Sequence, residues 1–263
     1  MPVDEKLLSV TIINYRFREN VPSYISATGF FFHHSDRDYL ITNRHVLVDE
    51  EYGHFPDKIV IVVHKDLKQL KEHERIEIPL YDKNGKRWLE HPIKMDEEGK
   101  RIDVAAIDIT SELDSIDPTV INAWTRNDFL PKDAIVDLGE RVTVLGYPEG
   151  LVDKHNYLPI QRSGSIASAY GESFQNCPKF LLDANLHGGT SGSPVIRTSN
   201  FLRKGNEFYI DDVPNNHLMG INSGELSSSH ATSMGLHNIW YPELIIDVIE
   251  RTECAYRSIV PHE

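Results

Sequence analysis

The chain has 263 residues, 40% hydrophobic and 25% charged, a balance that excludes a disordered or fibrous protein. A net charge of −13 and a pI of about 5.4 disfavour nucleic acid and anionic membrane as partners, since both select basic surfaces. The two cysteines, Cys177 and Cys254, show neither metal-ligand spacing nor a disulfide framework, and no apolar run approaches the ~18 residues of a membrane span. The length suits one large all-β domain or two small ones. The opening Met1-Pro2-Val3-Asp4-Glu5-Lys6 lacks the basic and then apolar regions of a secretory signal, so cytoplasmic residence is expected.

Leu7 to Tyr15, rich in β-branched residues, predicts a first strand. Ser26 to Phe32 predicts a second, with Gly29 allowing a bulge or close backbone approach. Asp36-Arg37-Asp38 turns the chain into a third strand, Tyr39 to Thr42, which runs into Asn43-Arg44-His45-Val46-Leu47. Strands follow at Lys58 to His64 and Arg75 to Tyr81, before the turn Asp82-Lys83-Asn84-Gly85. Trp88 to Pro92 reads as an edge strand stopped by proline, with Trp88 packed in the core. Lys94 to Arg101 is charged and loop-like, and Ile102 to Ile109 is a largely buried strand. Thr110 to Asp137 is a long connection, with a helical turn expected near Ala123 to Phe129.

The second half opens with a strand at Arg141 to Pro148 and another at Ile160 to Tyr170. Lys179 to Asp183 leads into a glycine-rich turn, and Val195 to Arg197 leaves it. Glu207 to Asp211 and His217 to Asn222 are strands around a polar loop, and Ser233 to Leu236 is short and extended. Tyr241 to Glu250 is the one clear helix, with proline near its start, acids in the first turn and apolar residues at helical spacing. Short strands at regular spacing plus a terminal helix give an all-β protein.

His187-Gly188-Gly189-Thr190-Ser191-Gly192-Ser193-Pro194 sets a hydroxyl on a glycine-flanked turn after the apolar Phe180-Leu181-Leu182. Glycine there permits unusual backbone conformations and the close approach of another molecule. Such a serine is a nucleophile when a base stands beside it, and otherwise a polar turn. His45 follows a strand, Asp103 opens one, and the order His, Asp, Ser is that of the chymotrypsin triad rather than of subtilisin or the α/β-hydrolases. His33 and His34 point to opposite faces of a strand, so no shared metal is expected.

Three segments carry a resemblance to the chymotrypsin clan, and most to its bacterial HtrA-type and trypsin-like branch. Gly29-Phe30-Phe31-Phe32 with Leu40 to Val46 resembles the strand pair that delivers the clan's histidine. Asp103 to Ile109 resembles its aspartate strand, and Leu182 to Pro194 its nucleophile loop. Weaker matches follow at Val144-Leu145-Gly146-Tyr147-Pro148, Ser163 to Ser168 and Gly220 to Ser223. The resemblance implies two six-stranded antiparallel β-barrels with a C-terminal α-helix. It places the first barrel at about 7–115, a connection at 116–138, the second barrel at 139–240 and the helix at 241–251. It also implies a serine endopeptidase acting on protein or peptide, with His45 as base, Asp103 as orienting acid and Ser191 as nucleophile. Gly189 and Ser191 would form the oxyanion hole. Asn185, Leu186, His187 and Gly188 would wall the primary pocket with Ser223, Gly224 and Glu225 and with Ser233 to Leu236. Asn185 falls where trypsins keep an aspartate, so the resemblance implies no basic preference; Glu225 or a nearby polar residue is the separate expectation for one. No cofactor is implied. Thr190 stands where secreted relatives have an aspartate that pairs with a freed N-terminus, and Ser193 replaces a second glycine. Two other readings stay open: an effector latent until a partner protein orders the oxyanion loop, and a non-catalytic binding module on the same fold.

Overall fold

The computed structural model describes residues 4–16, 26–93, 101–226 and 233–260, with Asp211, Val213 and Pro214 described by backbone alone. The first half holds β1 (Val10–Arg16), β2 (Ser26–His34), β3 (Arg37–Thr42), the short helix α1 (Arg44–Leu47), β4 (Lys58–His64) and β5 (His73–Pro79). A small hairpin, β6 (Tyr81–Asp82) and β7 (Gly85–Lys86), precedes β8 (Trp88–Glu90) and β9 (Ala105–Asp108). After α2 (Pro118–Ile121) come β10 (Arg141–Gly146), β11 (Ile160–Ile166), β12 (Lys179–Ala184), β13 (Pro194–Lys204), β14 (Glu207–Glu225) and β15 (Leu236–Trp240). The chain then forms α3 (Glu243–Glu250) and α4 (Cys254–Ile259).

β10-β11-β12-β15-β14-β13 close into the six-stranded barrel expected for the second half. The first half differs in closure: its seven strands run β5-β4-β1-β2-β3-β9-β8 as a curled half-barrel. Alternation explains its continuous apolar runs. On β2, Phe31 packs with Ile13, Leu40, Ile59 and Ile107 inside the half-barrel. Phe30 and Phe32 face the other way, into a core shared with Leu145, Tyr147, Leu218 and Trp240 of the second half. Both faces of the strand are therefore buried, which a period of two requires when each side has a partner. Trp124 anchors the connection: its N–H donates to the Phe31 carbonyl at 2.9 Å and its indole to Ser9 Oγ at 2.9 Å.

Several elements depart from expectation. The first strand begins at Val10, after a 3-10 turn at Glu5–Ser9. His45 lies in α1 rather than at a strand end, because Asn43 is extended and the Val48 N–H closes a turn onto the Arg44 carbonyl. Asp103 precedes its strand. The two strands expected around a polar loop are one long strand, β14, forming with β13 a ribbon whose tip leaves Phe208 and Ile210 exposed. β15 was hidden by its polar His237 and Asn238. Of the charged loop expected at Lys94 to Arg101, residues 94–100 lie outside the described residues. Trp88 is a core residue as expected, 4% exposed. Among the described residues, no helix is long and apolar enough to cross a membrane.

The terminal helices are joined by one acid. Asp247 of α3 accepts from His91 Nε2 at 3.3 Å, Thr252 Oγ1 at 2.8 Å, and the Ala255 and Tyr256 N–H groups of α4 at 3.0 and 2.8 Å. Burial alone would raise its carboxyl, but these donors outweigh it and hold the pKa at about 2. The folded value lies below the ordinary one, so the group's contribution is complete above about pH 4 and is lost as pH falls towards 2. Asp247→Ala leaves His91 buried without its partner and α4 uncapped, and is expected to cost about 3 kcal/mol. Urea unfolding measures it, and a loss below about 1 kcal/mol would show that the terminal helices hold by apolar packing alone.

Candidate active site

Asp103 holds His45 at two points. Its Oδ1 accepts the His45 backbone N–H at 2.9 Å and its Oδ2 meets His45 Nδ1 at 2.7 Å. Ser223 Oγ donates to the same Oδ2 at 2.8 Å, and Asn43 Nδ2 donates to the Asp103 carbonyl at 2.8 Å. Burial disfavours a charged imidazole here, but the charge and hydrogen bond of Asp103, with Asp49 beyond, outweigh it and raise the His45 pKa above its ordinary 6.5. With Nδ1 given to Asp103, Nε2 is the ring nitrogen left for other chemistry.

The segment Asn222-Ser223-Gly224 brings this pair to Ser191. Ser223 binds Asp103, and a Cβ placed on Gly224 would lie 3.9 Å from Ser191 Oγ. Asn222 pins the loop itself: its carbonyl takes the Gly192 N–H at 2.8 Å, its N–H donates to the Ser193 carbonyl at 2.9 Å, and its Nδ2 donates to the Thr190 carbonyl at 2.8 Å. The first half clamps the loop from the other side. The Thr28 N–H donates to the Ser191 carbonyl at 2.9 Å and Thr28 Oγ1 to the Gly189 carbonyl at 2.8 Å. Gly192 has φ +85°, and a Cβ there would overlap the Thr28 carbonyl and Thr42 Oγ1.

Two peptide planes fix the direction of two N–H groups. The Gly188 carbonyl accepts from the Glu149 N–H at 2.6 Å. In a trans peptide the following N–H points the opposite way, so the Gly189 N–H is turned away from Glu149. The Thr190 carbonyl faces Asn222 Nδ2 and the Ser193 N–H, which turns the Ser191 N–H away from them. Neither N–H donates to a described protein group.

Ser193 fills space that a side chain at Gly146 would need, since a Cβ there would overlap Ser193 Oγ. The second glycine is thus replaced where Gly146 leaves room. That hydroxyl is buried without a partner. Ser193→Ala is therefore expected to leave stability unchanged or raise it by up to about 1 kcal/mol. A thermal melt or urea curve showing a clear loss would reveal a bond the geometry lacks.

The expected pocket residues divide. Leu186 is buried, Asn185 and His187 are exposed, and Arg162 holds the Asn185 carbonyl through Nε at 3.1 Å and a terminal nitrogen at 2.6 Å. Glu225 accepts from Ser233 Oγ at 2.5 Å and from the Met234 and Gly235 N–H groups at 2.9 and 3.2 Å. Its carboxylate thereby secures the 233–235 wall. Ser223 binds Asp103 in addition to its place beside the pocket. Thr28, Thr42 and Asn222 were not singled out from sequence. The signals for them were membership of the Leu40 to Val46 and Gly220 to Ser223 segments for Thr42 and Asn222, and adjacency to Gly29 for Thr28.

A closed barrel and a curled half-barrel packed on a shared core make the chymotrypsin-type two-barrel fold. The chain belongs to the trypsin-like peptidase domain family, whose profile matches residues 27–202, more than half its length. Human heparin binding protein shares the fold with a TM-score of 0.53 at 12% identity, over 96% of this chain and 93% of that one. Deg5 does so with a TM-score of 0.50 at 12% identity, over 94% and 89%. Identities this low speak for the fold alone. No curated protein sequence matches the chain.

Proposed function

We propose that the protein is a serine endopeptidase in which Ser191 attacks a peptide carbonyl, His45 carries the proton and Asp103 orients His45. The observation that carries this reading is the Asn222–Gly224 segment, which binds Asp103 through Ser223 and passes beside Ser191 Oγ. Nδ1 of His45 keeps its proton on Asp103, so Nε2 is the acceptor for the Ser191 proton. As the carbonyl becomes tetrahedral, the free N–H groups of Gly189 and Ser191 receive the oxyanion. One such donor is typically worth about 2.7–4 kcal/mol of barrier. His45 then returns the proton to the leaving amine, and water repeats the sequence on the acyl-enzyme.

The orientation of the Gly188 and Thr190 peptides supports a formed oxyanion site over a latent one. Substrates are protein or peptide, as the family implies. Asn185 to Gly188 and Ser223 to Glu225 wall the primary pocket. The three donors on Glu225 make it an anchor of that wall before it is a selector of charge.

Labelling by a fluorophosphonate probe tests the reading together with casein hydrolysis. The native chain is expected to label at Ser191, and Ser191→Ala to lose both labelling and hydrolysis by at least ~10⁴-fold. A native protein that neither labels nor cleaves sinks the proposal.

A further inference from the structure

A separate cavity of about 250 Å³ opens where the inter-half connection, the turn after β11, and helices α3 and α4 meet. Its walls are Leu130, Pro131, Ala134 and Ile259 with the rings of Tyr170 and Tyr241; Glu243 is the acid among them and Lys132 the base. The rings are held in place. Tyr170 and Tyr241 meet edge-on with centroids 5.3 Å apart, and each packs on Phe180, at 5.1 and 5.3 Å. The Tyr241 hydroxyl accepts the Gly171 N–H at 2.8 Å and donates to the Glu172 carbonyl at 2.9 Å.

Glu243 is less complete. Its Oε2 is buried and has no hydrogen-bond partner. Burial raises its carboxyl above the ordinary range, although its own N–H and the charges of Lys132 and Arg126 work the other way. A buried carboxylate oxygen without a donor calls for an explanation, because native structures pair nearly all such atoms. An anion could pair with Lys132 but would meet the Glu243 carboxylate, and a neutral apolar molecule would leave Oε2 unpaired. A cation on an apolar body does neither. Its N–H groups reach the open oxygen in a charge-assisted bond, its body lies on the apolar wall, and tyrosine rings attract cations. The net charge of −13 adds a long-range pull in the same direction.

We propose that this cavity binds a small organic monocation, an ammonium or guanidinium group on an alkyl or aryl body, with Glu243 as its charge partner and Tyr170 and Tyr241 as its aromatic wall. None of its lining residues is His45, Asp103, Ser191 or a residue hydrogen-bonded to them, and its occupancy is read without reference to hydrolysis.

Benzylammonium and n-butylammonium chloride are titrated into the full chain while the amide NMR signals of Gly171 and Glu243 are followed, with sodium hexanoate as the anionic counterpart. Saturable shifts with the amines in the millimolar range, absent with hexanoate, are expected. Glu243→Gln keeps the shape and removes the charge, and is expected to weaken the amines at least tenfold. The comparison of amines with hexanoate in the native chain stands even where that variant folds poorly. The proposal is overturned by no saturable shift with either amine, by equal affinity in a folded Glu243→Gln, by hexanoate binding instead, or by amine shifts confined to Ser223 and Gly224.

Discussion

Asp103→Asn is expected to lower kcat near neutral pH by roughly 10⁴-fold. The expectation follows from which donors surround the carboxylate. Oδ1 receives the His45 backbone N–H, a donor that cannot change role. An asparagine must therefore place its oxygen there. Its NH₂ then takes the position of Oδ2, facing His45 Nδ1 and Ser223 Oγ. Nδ1 becomes an acceptor, the ring proton moves to Nε2, and the nitrogen that the proposed mechanism uses as base can no longer take a proton. The pH profile moves as well. The native His45 pKa is raised, since burial, which lowers it, is outweighed by Asp103. Activity should thus fall as pH drops through a value above 6.5, where the base form is lost. In Asp103→Asn that acid limb shifts to lower pH. Steady-state kinetics from pH 5 to 9 measure both, and a loss under tenfold with an unmoved limb would remove Asp103 from the proposed mechanism.

Gly192→Ala should be the most damaging single methyl in the site. The added Cβ faces two costs at once. The backbone sits at φ +85°, a region that costs an L side chain about 1–2 kcal/mol. The Cβ would also overlap the Thr28 carbonyl and Thr42 Oγ1, which bond each other at 2.8 Å. Neither is the far end of a flexible chain, so the loop itself must move, at a further cost of about 1–3 kcal/mol. A total of about 2–5 kcal/mol is expected by urea unfolding, with hydrolysis lost even in the folded fraction because Thr28 also binds the Ser191 carbonyl. Gly171→Ala separates the two costs: it has φ +90° with nothing within 4 Å, and should lose only the backbone part. Equal losses in the two variants would refute the steric account.

Much of this was legible in the residues, for physical reasons. Strands buried on both faces, such as β2, announce themselves as unbroken apolar runs. The glycine-flanked serine announces itself because the positive φ at Gly189 and Gly192 tolerates little besides glycine. The His, Asp and Ser came from order and flanking character; His45 and Asp103 are hydrogen-bonded, and the segment that binds Asp103 through Ser223 passes beside Ser191. What escaped lay where local and long-range preferences disagree. β15 carries His237 and Asn238 because its edges pair with β12 and β14 whatever its side chains prefer. α4 is short, and its start depends on Asp247, a residue of the preceding helix. The half-barrel of the first half is a matter of which strand edges meet, and that is not written in any single strand. Thr28 and Asn222 escaped because their partners lie far along the chain.

The bonds that assemble the site join residues 58, 120 and 161 positions apart. Closing contacts over such separations is the slow part of folding a β-rich chain. A ribosome delivers His45 and Asp103 well before Ser191, and the Thr28 clamp has nothing to hold until the second barrel exists. On the proposed mechanism, the nascent protein thus stays chemically silent while its own unfolded segments, and its neighbours', are most open to cleavage. Competence arrives with the final long-range closure, so the order of synthesis itself postpones the hazard.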